Sequence, residues 1–149
     1  MTRSLAALLA VFALWAATAF AGVDEDFLEA AKRGDLVTTR DLIAKGANVN
    51  AKVNEAGRTA LILATERGYI EIVKLLLDKG VDVNTRYNAG QTALMIASYQ
   101  GYIEIVRALI AKGADVNARD FLGDTPTTLA AEKNHEEVYR FLISKGGNF

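Results

Sequence analysis

"GRTALILATERGYIEIVKLLLDKG", residues 57–80, returns one period later as "GQTALMIASYQGYIEIVRALIAKG", residues 90–113. Each copy holds two short apolar runs, split at Gly68 and Gly101, and each copy ends on a glycine. Apolar residues recurring at three- and four-residue steps give a helix one face to bury. Each copy therefore reads as two helices joined by a tight turn.

Working outward from these copies, Gly46, Gly80, Gly113 and Gly146 are spaced 34, 33 and 33 apart, and Thr59, Thr92 and Thr125 are 33 apart. Gly57, Gly90 and Gly123 keep the same step. So do Gly34, Gly68 and Gly101, after which the next member is Asn134. Asparagine is the residue that best replaces glycine at positive φ, so the exchange implies a shared left-handed turn.

The three threonines stand where a helix N-cap is needed, their hydroxyls able to accept from unpaired N–H groups. Pro126, the only proline, takes the first helical position, where a missing N–H costs nothing. Gly80, Gly113 and Gly146 are placed to end the second helix in a left-handed C-cap. The phrases they open, "GANVNAK" (46–52), "GVDVNTR" (80–86) and "GADVNAR" (113–119), are short polar links that turn the chain outward.

A period of 33 built as helix, turn, helix and polar link, with "TAL", "TAL" and "TPT" opening the first helix, resembles the ankyrin repeat and its T-P-L-H-x-A signature. The resemblance covers about residues 24–149, in repeats at about 24–52, 54–86, 87–119 and 120–149. Departures are Ala60 and Ala93 for the family's proline, Ile62, Met95 and Thr128 for its histidine, and Tyr69 and Tyr102 for a second histidine. The resemblance implies an all-α solenoid of stacked helix-turn-helix units with short β-hairpin-like fingers.

A stacked array needs end units with polar outer faces. Where the middle repeats carry Ile70, Ile72, Val73 and Ile103, Ile105, Val106, the first has Leu36, Thr38, Thr39 and the last Glu136, Val138, Tyr139. Leu61 and Leu94 likewise give way to Thr127. This pattern is expected of four capped repeats forming a complete, monomeric array, with Leu75, Leu76 and Leu109 the least tolerant of polar replacement.

Ahead of the repeats, "MTRSLAALLAVFALWAATAFA" has one positive charge, an uncharged run from Leu5 to Ala21, and small residues at Ala19 and Ala21 before "GVDEDF". That order of charge, apolar run and A-x-A site is the grammar of a secretory signal peptide, with cleavage expected after Ala21 and "ATA" (17–19) as the second site. Seventeen uncharged, Ala-rich residues fall short of the roughly 20 strongly apolar residues of a membrane span. The expected location is therefore periplasmic or secreted, with no membrane attachment after cleavage.

The chain has 17 basic and 18 acidic residues, 51% apolar composition and no cysteine. A near-neutral balance disfavours nucleic acid as a partner, since phosphate-binding faces concentrate Lys and Arg. Without cysteine there are no disulfides, thiolate nucleophiles or thiolate metal sites. His135 is the only histidine, too few for a zinc pair, and a nucleophile-base-acid set built on it would have no alternative base. Its place in the period is that of Tyr69 and Tyr102, which makes it structural. Asp24, Glu25 and Asp26 are expected just before a helix and Glu136 and Glu137 in a first turn, where acids complement the helix dipole. "DVNARD" lacks the spacing of a calcium loop, and no phosphate-loop motif occurs. No catalytic, cofactor or metal site is expected.

The ankyrin resemblance implies instead a concave surface of fingers and first helices that binds another protein. The fingers are "AKVNEAG" (51–57), longer by one residue, "TRYNAG" (85–90) and "ARDFLG" (118–123). Positions that the repeat scaffold does not require are Glu55, Ala56, Arg58, Glu66 and Arg67 in the second repeat, and Tyr87, Asn88, Gln91, Tyr99 and Gln100 in the third. In the fourth they are Phe121, Leu122, Asp124, Glu132 and Lys133; Lys32 and Arg33 take the matching place in the first. Exposed aromatic groups on a rigid frame are typical anchors, so Tyr87 and Tyr99 are expected to contact a partner. Phe121 and Leu122 read equally as contacts or as a lid folded onto the last repeat. The function expected is an exported, non-enzymatic module that binds, inhibits or protects another exported protein; a secreted effector aimed at a host protein is the alternative.

Overall fold

The structure, a computed structural model, describes residues 22–53 and 56–149 together with Ala7 and Ala10. The rest of the expected leader, and Glu55, lie outside the described residues. Helix α1 runs over 22–33. It is followed by α2 (Leu36–Ala44), α3 (Ala60–Glu66), α4 (Ile70–Asp78), α5 (Ala93–Gln100), α6 (Ile103–Ala111), α7 (Pro126–Glu132) and α8 (Glu136–Ser144). Helices α3, α5 and α7 stack side by side as one layer, and α2, α4, α6 and α8 as the other. Among the described residues there is no strand, only isolated antiparallel bridges at Lys52–Thr59 and Tyr87–Gln91 that close two fingers. The all-α solenoid expected from the period is the architecture observed.

Threonine caps start the first helices as their positions predict. The hydroxyls of Thr59, Thr92 and Thr125 accept from the N–H groups of Ile62, Met95 and Thr128 at 3.4, 3.3 and 3.1 Å. Thr128 reciprocates by accepting from the Thr125 N–H at 2.8 Å, completing a capping box. Each cap is worth about 1 kcal/mol. The second helices of the last three pairs begin instead at Tyr69, Tyr102 and His135, with no side-chain cap, and carry Glu71, Glu104 or Glu136 and Glu137 in the first turn.

Those uncapped starts explain the glycine series. The rings of Tyr69, Tyr102 and His135 lie over Gly34, Gly68 and Gly101 of the preceding helix pair, and a Cβ at Gly101 would come within 2.5 Å of the imidazole. The three glycines have φ of 81°, 73° and 76°. Asn134, in the last helix pair described, is exposed and keeps the left-handed backbone at φ 57°. Asparagine is the residue that most readily takes glycine's place at such a backbone conformation.

The core runs unbroken between layers through Phe27, Leu61, Ile72, Leu76, Leu94, Ile105, Leu109 and Leu142, all fully buried. Burying one such side chain is worth about 1.5–3 kcal/mol. Leu75, expected to rank with Leu76 and Leu109, is only half-buried. It sits one helical step off the packed face.

The ends depart from expectation in two places. Thr39 and Thr127, expected as polar outer-face residues, are both fully buried. Thr39 satisfies its hydroxyl by donating to the Asp35 carbonyl at 2.6 Å. Thr127 lies beneath a chain end that folds back across α7, close enough that a Cβ at Gly147 would stand 2.6 Å from its hydroxyl. There the Thr125 hydroxyl donates to the Asn148 carbonyl at 2.8 Å, and the Phe149 ring tilts against Tyr139 with centroids 6.1 Å apart. Thr38 and Glu136 are exposed, as a polar end requires.

The repeated link phrases do more than turn the chain. The Asn50 side chain accepts from the Asp82 N–H at 2.8 Å, Asn84 accepts from Asp115 N–H at 2.8 Å, and Asn117 accepts from Asn148 N–H at 2.9 Å. Asn84 and Asn117 also donate to the carbonyls of Gly113 and Gly146 at 3.1 and 3.0 Å. Within each phrase Asn48, Asp82 and Asp115 turn the chain by accepting from the N–H two residues on, each at 3.0 Å. At the N-terminal end the Asp24 carboxylate takes the same part, accepting from Asn48 N–H at 2.7 Å. Asp24, Glu25 and Asp26 therefore do not precede a helix, because α1 is already running at residue 22. A polar spine thus links all four helix pairs.

Candidate partner-binding surface

Five of the side chains singled out from the sequence, Glu66, Tyr87, Gln91, Tyr99 and Gln100, line one hollow of about 230 Å³ on the face formed by fingers and first helices. Its floor is Met95, Ile96 and Leu129. Helix α3 supplies Glu66, α5 supplies Tyr99 and Gln100, and the second finger, closed by the Tyr87–Gln91 bridge, supplies the other two. Sequence reasoning missed the floor, since Met95 and Leu129 are apolar residues at core spacing and cannot be told from interior ones by pattern.

Beside the hollow stands a charged cluster. The Arg58 guanidinium meets the Glu66 carboxylate at 2.8 Å, and the Tyr87 hydroxyl donates to the same oxygen at 2.9 Å. Arg58 also lies 5.7 Å from the Tyr87 ring centre. The hydrogen bond to Glu66 holds Arg58 above its ordinary range, and burial followed by the Glu66 bond pushes the Tyr87 hydroxyl up as well. These three residues are therefore braced by one another, and Tyr87 is half-buried.

Tyr99 differs, being 41% exposed with the Lys133 ammonium 4.5 Å from its ring centre. Contact with Tyr99 raises the Lys133 pKa. Gln100 is exposed next to it and Gln91 is half-buried. An apolar floor with amides and one exposed aromatic at the rim can hold a side chain while pairing its backbone groups.

The other singled-out residues lie outside the hollow. Arg67 reaches back to donate to the Lys32 carbonyl. Asn88 is exposed at the tip of the second finger with φ 46°. Asp124 is half-buried just after the third finger, its N–H donated to the Asp120 carboxylate at 3.0 Å. Phe121 and Leu122 do not fold onto the last repeat: they are 80% and 84% exposed, and one face of the Phe121 ring lies over Gly90 of the preceding finger.

A second cleft, of about 640 Å³, runs between α1 and the first finger, lined by Leu28, Glu29, Lys32, Lys52, Val53, Arg58 and Leu63. Glu29 is paired with Lys32 and Arg33 at 3.1 and 2.9 Å, which lowers its pKa. Arg58 separates this cleft from the hollow. The lone His135 is occupied within the scaffold, with Nε2 at 3.0 Å from the Tyr99 carbonyl and its ring over Gly101. Among the described residues no helix is long and apolar enough to cross a membrane.

Over part of its length the chain is similar to several much larger proteins. It is 39% identical over 63 residues to the 2-5A-dependent ribonuclease of Mus musculus, a match covering 42% of this chain and 9% of that protein. It is 46% identical over 52 residues to the putative ankyrin repeat protein FPV222 of Fowlpox virus, covering 35% of this chain and 7% of the other. With the acyl-CoA-binding domain-containing protein 6 homolog of Dictyostelium discoideum it shares 45% identity over 49 residues, 33% of this chain and 17% of the relative. The matches thus span less than a fifth of each relative's length. The family model described as ankyrin repeats (3 copies) matches residues 27–120 and 87–149, and the chain belongs to the ankyrin-repeat family.

Proposed function

We propose that this chain is an exported, non-catalytic module that binds another exported protein through the hollow between its second, third and fourth repeats, acting as inhibitor or protector of that partner. The observation that carries the reading is the convergence of Glu66, Tyr87, Gln91, Tyr99 and Gln100 on one apolar-floored depression. Ankyrin repeats are in general protein-binding surfaces, so membership of the family supports interaction as the work of the fold. Export rests on the order of charge, apolar run and A-x-A site in residues 1–21.

Affinity capture from the exported fraction of the native cell tests the binding, with the wild-type chain and a Tyr99→Ala, Gln100→Ala double variant as baits. Both residues are exposed, so the variant keeps the fold. A discrete partner bound at least about tenfold more weakly by the variant supports the hollow, as expected for loss of an aromatic anchor. Equal capture by both removes the hollow from consideration. Export is tested separately by sequencing the N-terminus of the mature protein, which should begin at Gly22; a chain retained in the cytoplasm with Met1 intact overturns that part.

A further inference from the structure

Of the side chains that line the hollow only Glu66 is charged, and its charge is already met within the chain. One of its oxygens accepts from the Arg58 guanidinium at 2.8 Å and from the Tyr87 hydroxyl at 2.9 Å. The nearest cation on the Tyr99 side is likewise engaged. The Lys133 ammonium lies 4.5 Å from the Tyr99 ring centre and 3.5 Å from a Glu132 carboxylate oxygen. Glu66 and Glu132 thus balance Arg58 and Lys133, and the rim carries no net charge.

Burying a charge is costly unless a free counter-charge receives it. A cation entering the hollow would meet a carboxylate that Arg58 already compensates, and an anion would meet Glu66 itself. Neither sign finds a free partner. Among the described residues, no hydrogen bond within the chain engages the side-chain amides of Gln91 and Gln100, which stand at the rim above Met95, Ile96 and Leu129. A side-chain amide offers both an acceptor and two donors, the complement of a peptide group.

We propose that the hollow takes one uncharged aliphatic side chain from an extended segment of the partner, with Gln91 and Gln100 pairing to the peptide groups on either side of it. This rests on the hollow being the binding surface and names what enters it. The segment is extended because a helix spends its own N–H and C=O groups internally and leaves none for the two amides. The aliphatic floor supplies affinity, the amides fix the direction of the segment, and the internally paired charges reject Lys, Arg, Asp and Glu at this position. Since no ion pair forms on binding, affinity is nearly independent of salt.

Met95, fully buried at the base of the hollow, and Met1 are the only methionines, so carbon-13 labelling of methionine methyls places a reporter there. The labelled full chain is titrated with N-acetyl-leucine N-methylamide, which has one side chain between two peptide groups, and with its lysine and glutamate counterparts. The Met95 signal is identified by its loss in Met95→Leu. The leucine probe should move it saturably in the millimolar range, equally at about 50 and 500 mM sodium chloride. The lysine and glutamate probes should bind at least about tenfold more weakly. Gln100→Ala, an exposed position, should weaken the leucine probe about fivefold through loss of a hydrogen bond. Unchanged binding to that variant, or an affinity that falls with salt, overturns the proposal. Equal or tighter binding of the lysine or glutamate probe also overturns it and leaves the hollow as the surface. Absence of saturation with every probe overturns it as well, and partner capture by the Tyr99→Ala, Gln100→Ala variant then decides the hollow on its own.

Discussion

The link phrases and the finger tips that follow them are both short connections between helices, yet their groups point to different company. In the links, Asn50, Asn84 and Asn117 spend their amides on the backbone of the next repeat. In the tips, Asn88 and Phe121 give backbone N–H groups to the preceding finger and Phe121 lays one ring face over Gly90, while the Asn88 and Leu122 side chains stay exposed. Both stretches mix polar and apolar residues and differ in use, so polarity alone does not separate structural from recognition residues in this array. What separates them is whether a side chain repeats with the period or changes.

Substitutions at repeating positions should therefore cost stability, and those at changing positions should cost binding. The largest effect is expected within the core. Leu109→Ala should destabilise by about 2–5 kcal/mol, measured by urea denaturation, because the site is fully buried and cannot collapse. Leu75→Ala, half-buried, should cost clearly less; equal losses would show that exposure does not rank these positions.

Next comes the glycine series. Gly101→Ala should cost about 1–3 kcal/mol from positive φ, with the crowding of His135 added, whereas Asn134→Gly should be close to neutral. If both changes are neutral, the seating of rings over glycines contributes nothing to stability.

A smaller loss is expected along the spine. Asn84→Ala removes two inter-repeat hydrogen bonds at exposed positions and should cost about 1–2 kcal/mol in total, against less than about 0.5 kcal/mol for Gln100→Ala at the rim of the hollow. Thermal melts of the two single variants decide this directly, and reversed ranks would break the distinction between repeating and changing positions.

The smallest effect concerns Tyr87. Its folded pKa lies above the unfolded value, so its contribution is complete below the ordinary tyrosine range and is lost as pH rises through the folded pKa. Ultraviolet titration of phenolate formation should show a late-titrating component that Tyr87→Phe removes. A variant curve that keeps this component would assign it to another tyrosine.

Much of the fold is legible in the sequence because periodic glycines and threonines report backbone requirements that few other residues meet. Asn134 is the clearest instance, a left-handed position identified from one exchange in a glycine series. Thr39 and Thr127 mislead because a hydroxyl's polarity says nothing of what covers it, and at Thr127 the cover is residues 147–149 folding back. The spine is hidden although its signal is present, in Asn or Asp recurring at 48, 82, 115 and 148 and Asn at 50, 84 and 117. Its bonds join residues some 30 positions apart, beyond any local rule for turns. The members of the hollow are legible as changing letters in the period, but their bracing is not, since the Arg58, Glu66 and Tyr87 contacts depend on how two repeats are set side by side.

The link phrases at 80–86 and 113–119 carry both halves of a joint, a backbone N–H offered to the unit before and an asparagine offered to the unit after. A unit so equipped is compatible with a copy of itself. Duplicating or deleting one whole period in the gene would leave every joint matched, so the array can change its length, and with it the extent of surface it presents, without redesigning a single contact along the spine.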